Sequence, residues 1–484
     1  MTADKIKELI EGLYGVSLVD DFTINEAGSL KGRIAVATGQ DSADLEWDVE
    51  ISPTYPFKVM GREPIYFQNK NLLNYPHIMQ GGNLCMHSAE YENTERQFVN
   101  DLEQLKEWVE KYYVKMEKDA HYEHLVVNHH LICGQYYTFC FAETKEDFAE
   151  GDYGVVHYAV LPTGWKNDSP VSNYMAQKFV SCAQVKKREL FCKISKSYQK
   201  LKSFDGVYCL LNGIPSVHNK FIVEDYDSIK GLFSQSQKNY IHSFVALHKN
   251  KYNSFPLFCG YRIPGGGVYW QAMMLFMDDL PIEPVRVGTG KNRLWFTDFK
   301  QGLIQWAETV DISYKYFFGR GAMPEELANK KILIMGVGAI GSIVAETLTR
   351  CGAKILTLYD IDNKEPGNVC RSAYSFYSGI TEKTLDMENL LTQISPHVEC
   401  TSLKSIVDLV VKTYSAGHEN KSALAKLFDE FDVIFDCTTD NQLMRIMDST
   451  GTKAQLVNLS ITNHAQVEKP LNFDPFGHAE LSLF

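Results

Sequence analysis

The sequence predicts a multidomain protein that is α/β in its C-terminal part and α+β at its N-terminus. Residues 331–362, KILIMGVGAIGSIVAETLTRCGAKILTLYDID, read as an apolar strand, a glycine-rich turn, a helix and a second strand ending in acid. Strand and helix patterns continue to alternate beyond them, which indicates a doubly wound, mostly parallel sheet with helices on both faces. The N-terminal part instead reads as a helix, several strands and a second helix.

Length and composition limit the possible classes of protein. The 484 residues exceed one ordinary domain, and a hydrophobic content of 45% is ample for packed cores. The net charge of −12 argues against nucleic acid as the main partner. No apolar run reaches about 18 residues, so no membrane span is expected. The 11 cysteines include no C-x-x-C pair, which predicts reduced thiols, no structural zinc and a cytoplasmic protein.

We divide the chain into three segments, 1–118, 119–315 and 316–484. In the first, Thr2 is a candidate cap of an amphipathic helix whose buried stripe is Ile6, Leu9, Ile10 and Leu13. Strands are predicted at 32–38 and 45–51, and a helix at 99–114. The middle segment has strand-like runs at 156–161, 206–211 and 244–248 and no chemical motif, so we interpret it as a connecting domain.

The glycine-rich turn indicates a nucleotide site. Gly336, Gly338 and Gly341 keep the G-x-G-x-x-G register: the first makes the turn, the second admits a phosphate and the third lets the helix pack on the strand. The N-terminus of the helix that follows is oriented towards the anion. Asp360 ends the second strand, where an acid meets a ribose hydroxyl in such folds. This motif alone would suggest a dinucleotide dehydrogenase.

Downstream residues favour carboxylate adenylation instead. The chain continues with Asn368 and Arg371 in DIDNKEPGNVCR, with Lys383 before a helix, and with Asp436 and Asp440 in DVIFDCTTDN. Arginine and lysine neutralise a triphosphate and the charge developing at its α-phosphorus. Aspartate holds Mg²⁺ together with the phosphates.

This ordered set resembles the Rossmann-like adenylation domain of ubiquitin-activating enzymes and their ThiF/MoeB-type bacterial relatives. The resemblance implies that Gly336, Gly338 and Gly341 line the phosphates of ATP and that Asp360 or Asp362 holds its ribose. It also implies phosphate contacts from Asn368, Arg371 and Lys383, and a Mg²⁺ ligand in Asp440, with Asp436 left open as the alternative. Arg320 matches an arginine that reaches the ATP of a partner subunit in this family, which implies a homodimer.

The N-terminal segment contains a candidate catalytic thiol. WDVEISPTYPFKVMGREPIYFQ and NYPHIMQGGNLCMH place Tyr55-Pro56, Pro64 and then His77 ahead of Cys85. An exposed thiol in an irregular loop can accept an acyl group. The segment resembles the ubiquitin-conjugating fold, which implies that Cys85 carries a thioester and that His77 replaces the family's asparagine as oxyanion donor. The family's tryptophan after the cysteine is missing.

A conjugating-like segment ahead of an activating-like one resembles the fused proteins of bacterial antiphage operons, notably the CBASS type. This resemblance implies ATP-dependent activation of a protein C-terminus, belonging to a nucleotidyltransferase or a ubiquitin-like protein, transfer to Cys85 and conjugation to an amine. No cysteine follows Cys437, so either the sequence is truncated or the acyl group passes elsewhere; Cys370 is a less favoured acceptor.

Three other hypotheses remain open at this stage. The first is a sulfur-carrier or molybdopterin-type adenylyltransferase whose front domain is not catalytic. The second is a scaffold that binds ATP as a regulatory ligand, and the third and least favoured is an NAD dehydrogenase.

Overall fold

The computed structural model describes most of the chain, and the described residues form three larger β-sheets. The described residues are 1–39, 43–59, 62–72, 75–79, 81–85, 91, 93–117, 131–183, 187–213, 223–262, 267–287, 294–403, 424–460 and 480–481, without the side chains of Arg320, Asn441, Gln442, Met444, Glu480 and Leu481. Among them, no helix is both long and apolar enough to cross a membrane.

The N-terminal sheet is an antiparallel meander covered by two helices. Its elements are α1 (Ala3–Glu11), β1 (Val16–Ile24), β2 (Leu30–Val36), β3 (Leu45–Ile51), β4 (Ile65–Gln68) and α2 (Thr94–Trp108), which continues as a π-helix over Val109–Val114. As predicted, Thr2 caps α1 through its side chain. Helix α2 begins earlier than the sequence pattern indicated, because Asn93 accepts from the backbone N–H groups of Glu95 and Arg96.

Within the described ranges, the middle sheet has nine strands in the order β12-β11-β10-β6-β8-β5-β15, with β7 and β9 paired to β8. The elements are β5 (Tyr136–Phe141), β6 (Tyr153–Val160), β7 (Gly164–Lys166), β8 (Ser169–Ser181), β9 (Arg188–Phe191), α3 (Lys196–Gln199), β10 (Ser203–Leu210), α4 (Tyr226–Ile229), α5 (Gln235–His248), β11 (Ser254–Arg262), β12 (Val268–Phe276), β13 (Ile282–Val287), β14 (Leu294–Phe299), β15 (Glu308–Asp311) and α6 (Tyr314–Phe318). Strands β13 and β14 form a separate hairpin.

One predicted strand is wrong. Residues 244–248 are the last turn of α5. The helix begins at a capping box formed by Ser234 and Gln237, and it buries Ile241, Phe244 and Val245 at helical spacing. The short apolar run is therefore one face of a helix, and it was interpreted as a strand because the capping box that starts the helix was not recognised.

The C-terminal sheet is parallel throughout, as predicted, with strand order β18-β17-β16-β19-β20-β21. The elements are α7 (Glu325–Ala328), β16 (Lys331–Met335), α8 (Ala339–Arg350), β17 (Ile355–Tyr359), α9 (Pro366–Val369), α10 (Lys383–Ile394), β18 (Glu399–Leu403), β19 (Val433–Asp436), α11 (Asn441–Ser449), β20 (Gln455–Leu459) and β21 (Glu480–Leu481). The order reverses between β16 and β19, and ligands bind beyond the carboxyl ends of strands at such a switch point.

Hydrogen bonds join the middle and C-terminal parts around His397. Its ring nitrogens lie 2.7 Å from the Ile312 carbonyl oxygen and 3.1 Å from that of Lys193. The Tyr198 hydroxyl donates to the Thr392 carbonyl at 3.0 Å, and that of Tyr314 to the Gly352 carbonyl at 2.7 Å. These contacts lie at the opposite end of α10 from Lys383.

Candidate functional site

The glycine-rich turn lies at the switch point of the C-terminal sheet. Gly336 has a φ of +80°, which favours glycine, and a Cβ on it would lie 2.9 Å from backbone atoms of Cys437 and Thr438. A Cβ on Gly341 would lie only 1.9 Å from the Gly336 carbonyl oxygen. A Cβ on Gly338 would have no atom within 4 Å. The first and third glycines are therefore required by the fold, whereas the second borders open space at the N-terminus of α8.

Asp360 and Lys383 lie beside this turn, at the ends of neighbouring elements. The Asp360 carboxylate accepts from the backbone N–H of Val337, inside the turn, and from that of Asp362, both at 2.9 Å. The buried ammonium of Lys383 donates to Asp362 at 2.8 Å and lies 3.8 Å from Asp360. Asp362 is the more exposed of the two acids. The structure thus brings the acids predicted for ribose and the lysine predicted for phosphate together at one edge.

Asn368 and Arg371 lie on the segment between β17 and α10. The Asn368 side chain accepts from the Glu365 N–H at 2.8 Å and so helps to cap α9. Arg371 follows α9 and is exposed. Their proposed contacts with phosphate stay predictions.

Two buried side chains on the same segment were missed by the sequence reasoning. The Tyr374 hydroxyl donates to the carbonyl of Val337 at 2.6 Å and lies 3.2 Å from that of Lys383. Burial raises the pKa of Tyr374, so its hydroxyl remains a donor at neutral pH. Lys364 is wholly buried. A lysine among Asp, Asn and Glu residues resembled a solvated charge, and no sequence signal distinguished it.

The two candidate magnesium ligands lie in different environments. Asp436 is 2% exposed, and its carboxylate accepts from the N–H and hydroxyl of Thr438 and from the Asn458 amide. Asp440 is exposed and lies beyond the turn made by Thr438 and Thr439. Both Asp436 oxygens accept hydrogen bonds in a buried setting, whereas Asp440 is exposed and one of its oxygens accepts from the Leu443 N–H at 3.4 Å. Asp440 therefore stays the predicted Mg²⁺ ligand. The described residues hold no group of three or more His, Cys, Asp or Glu side chains that could bind a metal alone.

Other predicted site residues of this region have less specific surroundings. Arg320 belongs to a 3₁₀ turn over Gly319–Gly321, and its side chain lies outside the described part of the chain. Cys370 is exposed. Burial raises the pKa of the Cys437 thiol to about 12, which keeps it protonated and a poor nucleophile.

Cys85 lies in an irregular segment that pairs with the end of β4, where Asn83 forms a bridge with Gln68. Its backbone N–H donates to the His77 carbonyl at 2.8 Å, and Ile78 pairs with Leu84 in an isolated antiparallel bridge. This register places Cys85 opposite His77, and opposite residues of a bridge lie side by side. Cys85 is partly exposed, whereas Cys192 is buried.

The His77 side chain contacts helix α2's π-helical extension. His77 has a φ of +59°, and its Nε2 lies 3.1 Å from the hydroxyl of Tyr112. The Trp108 indole donates to the Pro76 carbonyl at 2.9 Å and fixes the same segment.

Comparison with known proteins identifies the C-terminal part. Residues 315–455 match the model of the ThiF family. The C-terminal part of the chain therefore carries a ThiF domain. The ATP-dependent ubiquitin transferase-like protein Cap2 of Enterobacter hormaechei is 26% identical over 200 residues, 40% of this chain and 32% of that protein.

Two further similarities concern shorter stretches. Ubiquitin-like modifier-activating enzyme 5 of Dictyostelium discoideum is 37% identical over 16% of this chain and 20% of that protein. The molybdopterin-synthase adenylyltransferase of Escherichia coli is 29% identical over 28% of this chain and 49% of that protein. The chain thus spans less than half the length of each of these three relatives.

Among solved structures, the Escherichia coli tRNA N6-threonylcarbamoyladenosine dehydratase TcdA is 22% identical with a TM-score of 0.25. The similarity covers 32% of this chain and 59% of that one.

Proposed function

We propose that this protein uses ATP to adenylate the C-terminal carboxylate of a partner protein and transfers the acyl group through Cys85 to an amine. The observation that carries the proposal is the arrangement at the switch point of the ThiF domain, where Gly338, Asp360 and Lys383 surround one edge of the sheet. The similarity to adenylating and ubiquitin-activating proteins supports the first half.

The residues at this edge of the sheet fit a nucleoside triphosphate. Open space beside Gly338 lets a phosphate approach the backbone N–H groups at the start of α8. The exposed Arg371 supplies positive charge. Lys383 pairs with Asp362 in this structure, so its ammonium would exchange that carboxylate for a phosphate when ATP binds, and the exposed Asp362 could then meet a ribose hydroxyl. Mg²⁺, held by Asp440 and the phosphates, would neutralise charge on the triphosphate.

Adenylation then proceeds by displacement at the α-phosphorus of ATP. A carboxylate oxygen of the partner forms the new bond to phosphorus as the bond to the leaving pyrophosphate breaks. The cations stabilise the added negative charge of the transition state, which they do best where water is excluded. The product is an acyl-adenylate, in which the carboxyl carbon has become electrophilic.

Cys85 fits the role of acyl acceptor in the second half. Attack by its thiolate on the acyl carbon releases AMP and leaves a thioester, directly or after relay through another thiol. An amine then attacks the thioester, loses a proton and releases the thiolate. His77 lies opposite Cys85 and is the candidate donor to the oxyanion. Because the Cys85 segment and the adenylating part belong to one chain, the transfer to Cys85 is governed by an effective concentration rather than by diffusion of two separate proteins.

A second candidate is supported by the molybdopterin-synthase adenylyltransferase, whose similarity is 29% over 28% of this chain. In that case the chain adenylates a carboxylate and Cys85 takes no part. The antiphage role, the homodimer and the choice between a nucleotidyltransferase and a ubiquitin-like protein as partner stay proposals that rest on the sequence resemblance.

Pyrophosphate–ATP exchange tests the adenylation step. The full chain is incubated with Mg²⁺, ATP, labelled pyrophosphate and a purified candidate partner, either a nucleotidyltransferase or a ubiquitin-like protein, with or without its last residue. We expect exchange only with the intact C-terminus, a loss of at least tenfold in Lys383→Met, and no loss in Cys85→Ser.

The matched control is Lys330→Met. Lys330 pairs with Asp432 at 3.3 Å just before β16, at the amino end of the sheet. ATP binding without pyrophosphate exchange would instead support the hypothesis of a regulatory scaffold. Exchange that does not depend on the partner's C-terminus would contradict the proposed substrate.

A further inference from the structure

The segment between β17 and α10 forms a loop that is closed at its base by backbone pairing. The Lys383 N–H donates to the Asp362 carbonyl at 3.1 Å, and the Lys364 N–H donates to the Thr381 carbonyl at 2.7 Å. Asn363 and Glu382 form an antiparallel bridge between these two bonds. We call residues 363–382 the phosphate loop, because they include Asn368 and Arg371.

A buried ammonium lies inside the phosphate loop. Lys364 is 0% exposed, and its Nζ donates to the Ser375 carbonyl and the Asp386 carboxylate, both at 2.7 Å, and to the Ser378 hydroxyl. These three partners use all three donors of the ammonium. Burying a charge is costly unless it is paired and hydrogen-bonded, so the interactions of Lys364 strongly favour this one conformation.

The outer surface of the phosphate loop offers little apolar burial to compensate for any loss of these bonds. Phe376 is 64% exposed, Tyr377 100% and Ile380 61%. A loop whose aromatic side chains face solvent gains little from the hydrophobic effect. Its closure therefore depends on its base, on Tyr374 and on Lys364.

We propose that Lys364 is a positioning residue for the nucleotide site. It ties the loop to Asp386, one turn into α10 from Lys383, and so fixes the loop relative to the predicted phosphate-binding lysine. The closed loop also contacts the glycine-rich turn and α8, through the Tyr374 hydroxyl on the Val337 carbonyl and the Ala373 N–H on the Ser342 hydroxyl. The link to ATP rests on the proposed function, whereas the closure of the loop does not.

Removing the ammonium has a local consequence. Lys364→Met leaves the Asp386 carboxylate buried without its cation and two further acceptors without a donor, and an unsatisfied buried group favours opening to water. The strands of the sheet are stabilised by an apolar core that includes Ile334, Leu356 and Leu358, to which the loop contributes Tyr374 but neither Lys364 nor the exposed side chains of its outer surface. We therefore expect the loop to open while the sheet stays folded.

Hydrogen exchange and ATP binding, measured on the full chain well below its melting temperature, test the proposal. In Lys364→Met we expect backbone exchange in 363–382 to become at least tenfold faster, with unchanged protection in β16 and β17. We also expect the Kd for a fluorescent ATP analogue with Mg²⁺ to rise at least tenfold. Asp386→Asn, which keeps the lysine, should show smaller changes of the same kind and replaces the first variant if that one does not fold.

The matched control is Lys238→Met in α5, which removes another lysine–aspartate pair, with Asp298 at 2.7 Å. It should change neither readout. Unchanged exchange in 363–382 would overturn the proposal, and so would a loss of protection spread evenly over the sheet, since that marks a merely structural residue. If the unaltered chain binds no ATP, the proposed function and the link to nucleotide both fail, while the exchange data still decide whether Lys364 closes the loop.

Discussion

The glycine-rich turn makes a prediction that separates folding from nucleotide binding. Gly338→Ala and Gly341→Ala each add one methyl group to the same turn. At Gly338 the new Cβ meets open space, with no atom within 4 Å. At Gly341 it meets the Gly336 carbonyl oxygen at 1.9 Å, roughly 1.5–2 Å inside ordinary van der Waals contact.

The expected magnitudes follow from these environments. Overpacking costs about 1–3 kcal/mol, and a fixed backbone oxygen puts Gly341→Ala near the upper end. In a domain of about 150–250 residues, 3 kcal/mol lowers the Tm by roughly 6–12 °C. Gly338→Ala should leave the Tm nearly unchanged but obstruct phosphate contact with the backbone. Such a charge-assisted hydrogen bond contributes about 1.5–3 kcal/mol, so ATP affinity should fall roughly 10- to 150-fold.

Thermal unfolding and titration with a fluorescent ATP analogue and Mg²⁺ measure the two effects. Gly231→Ala, whose added Cβ also has no atom within 4 Å, is the matched control outside the turn and should alter neither. The reasoning is refuted if Gly338→Ala binds ATP within twofold of the unaltered chain, or if Gly341→Ala is as stable as that chain.

Three further predictions concern a thiol, a titrating pair and a contact between parts of the chain. Iodoacetamide should modify Cys85 in the folded protein long before Cys192, whose thiol pKa is raised to about 12 by burial; peptide masses showing the reverse order would contradict its exposure. Hydrogen bonding to His157 lowers the pKa of Asp205 from 3.8 to about 2. The stabilisation from this pair is therefore present above pH of about 4 and lost as the pH falls towards 2, so Asp205→Asn should flatten the acid limb of a plot of Tm against pH; an unchanged limb would disprove this. His397→Ala removes the ring nitrogens that face the Ile312 and Lys193 carbonyl oxygens and should cost about 1–3 kcal/mol, with faster hydrogen exchange in the segments that the ring joins; unchanged exchange would show that the contact is not stabilising.

Sequence patterns predicted those turns, strands and helix caps whose conformation is determined by residues close together in the chain. The turn at Gly336, the strand β3 and the cap at Thr2 each depend on residues a few positions apart. The run at 244–248 was misread because its decisive signal, the capping box at Ser234, lies ten residues before it.

Contacts between side chains that are distant along the chain could not be predicted from the sequence. Lys364 and Asp386 are far apart along the chain, and only the closed loop shows that their charges are buried together. The same holds for His77, whose contact with Tyr112 depends on a π-helical turn that no periodicity marked. For Asp436, the hydrogen bonds to Thr438 and Asn458, rather than the motif, indicate a structural role.

The most direct measurement of the central claim is the intact mass of the chain after incubation with Mg²⁺, ATP and the candidate partner protein, a nucleotidyltransferase or a ubiquitin-like protein. The account predicts a covalent adduct that requires ATP, disappears on treatment with dithiothreitol, maps to Cys85 and is missing from Cys85→Ser. An adduct on another residue, or conjugates formed equally well by Cys85→Ser, would contradict it.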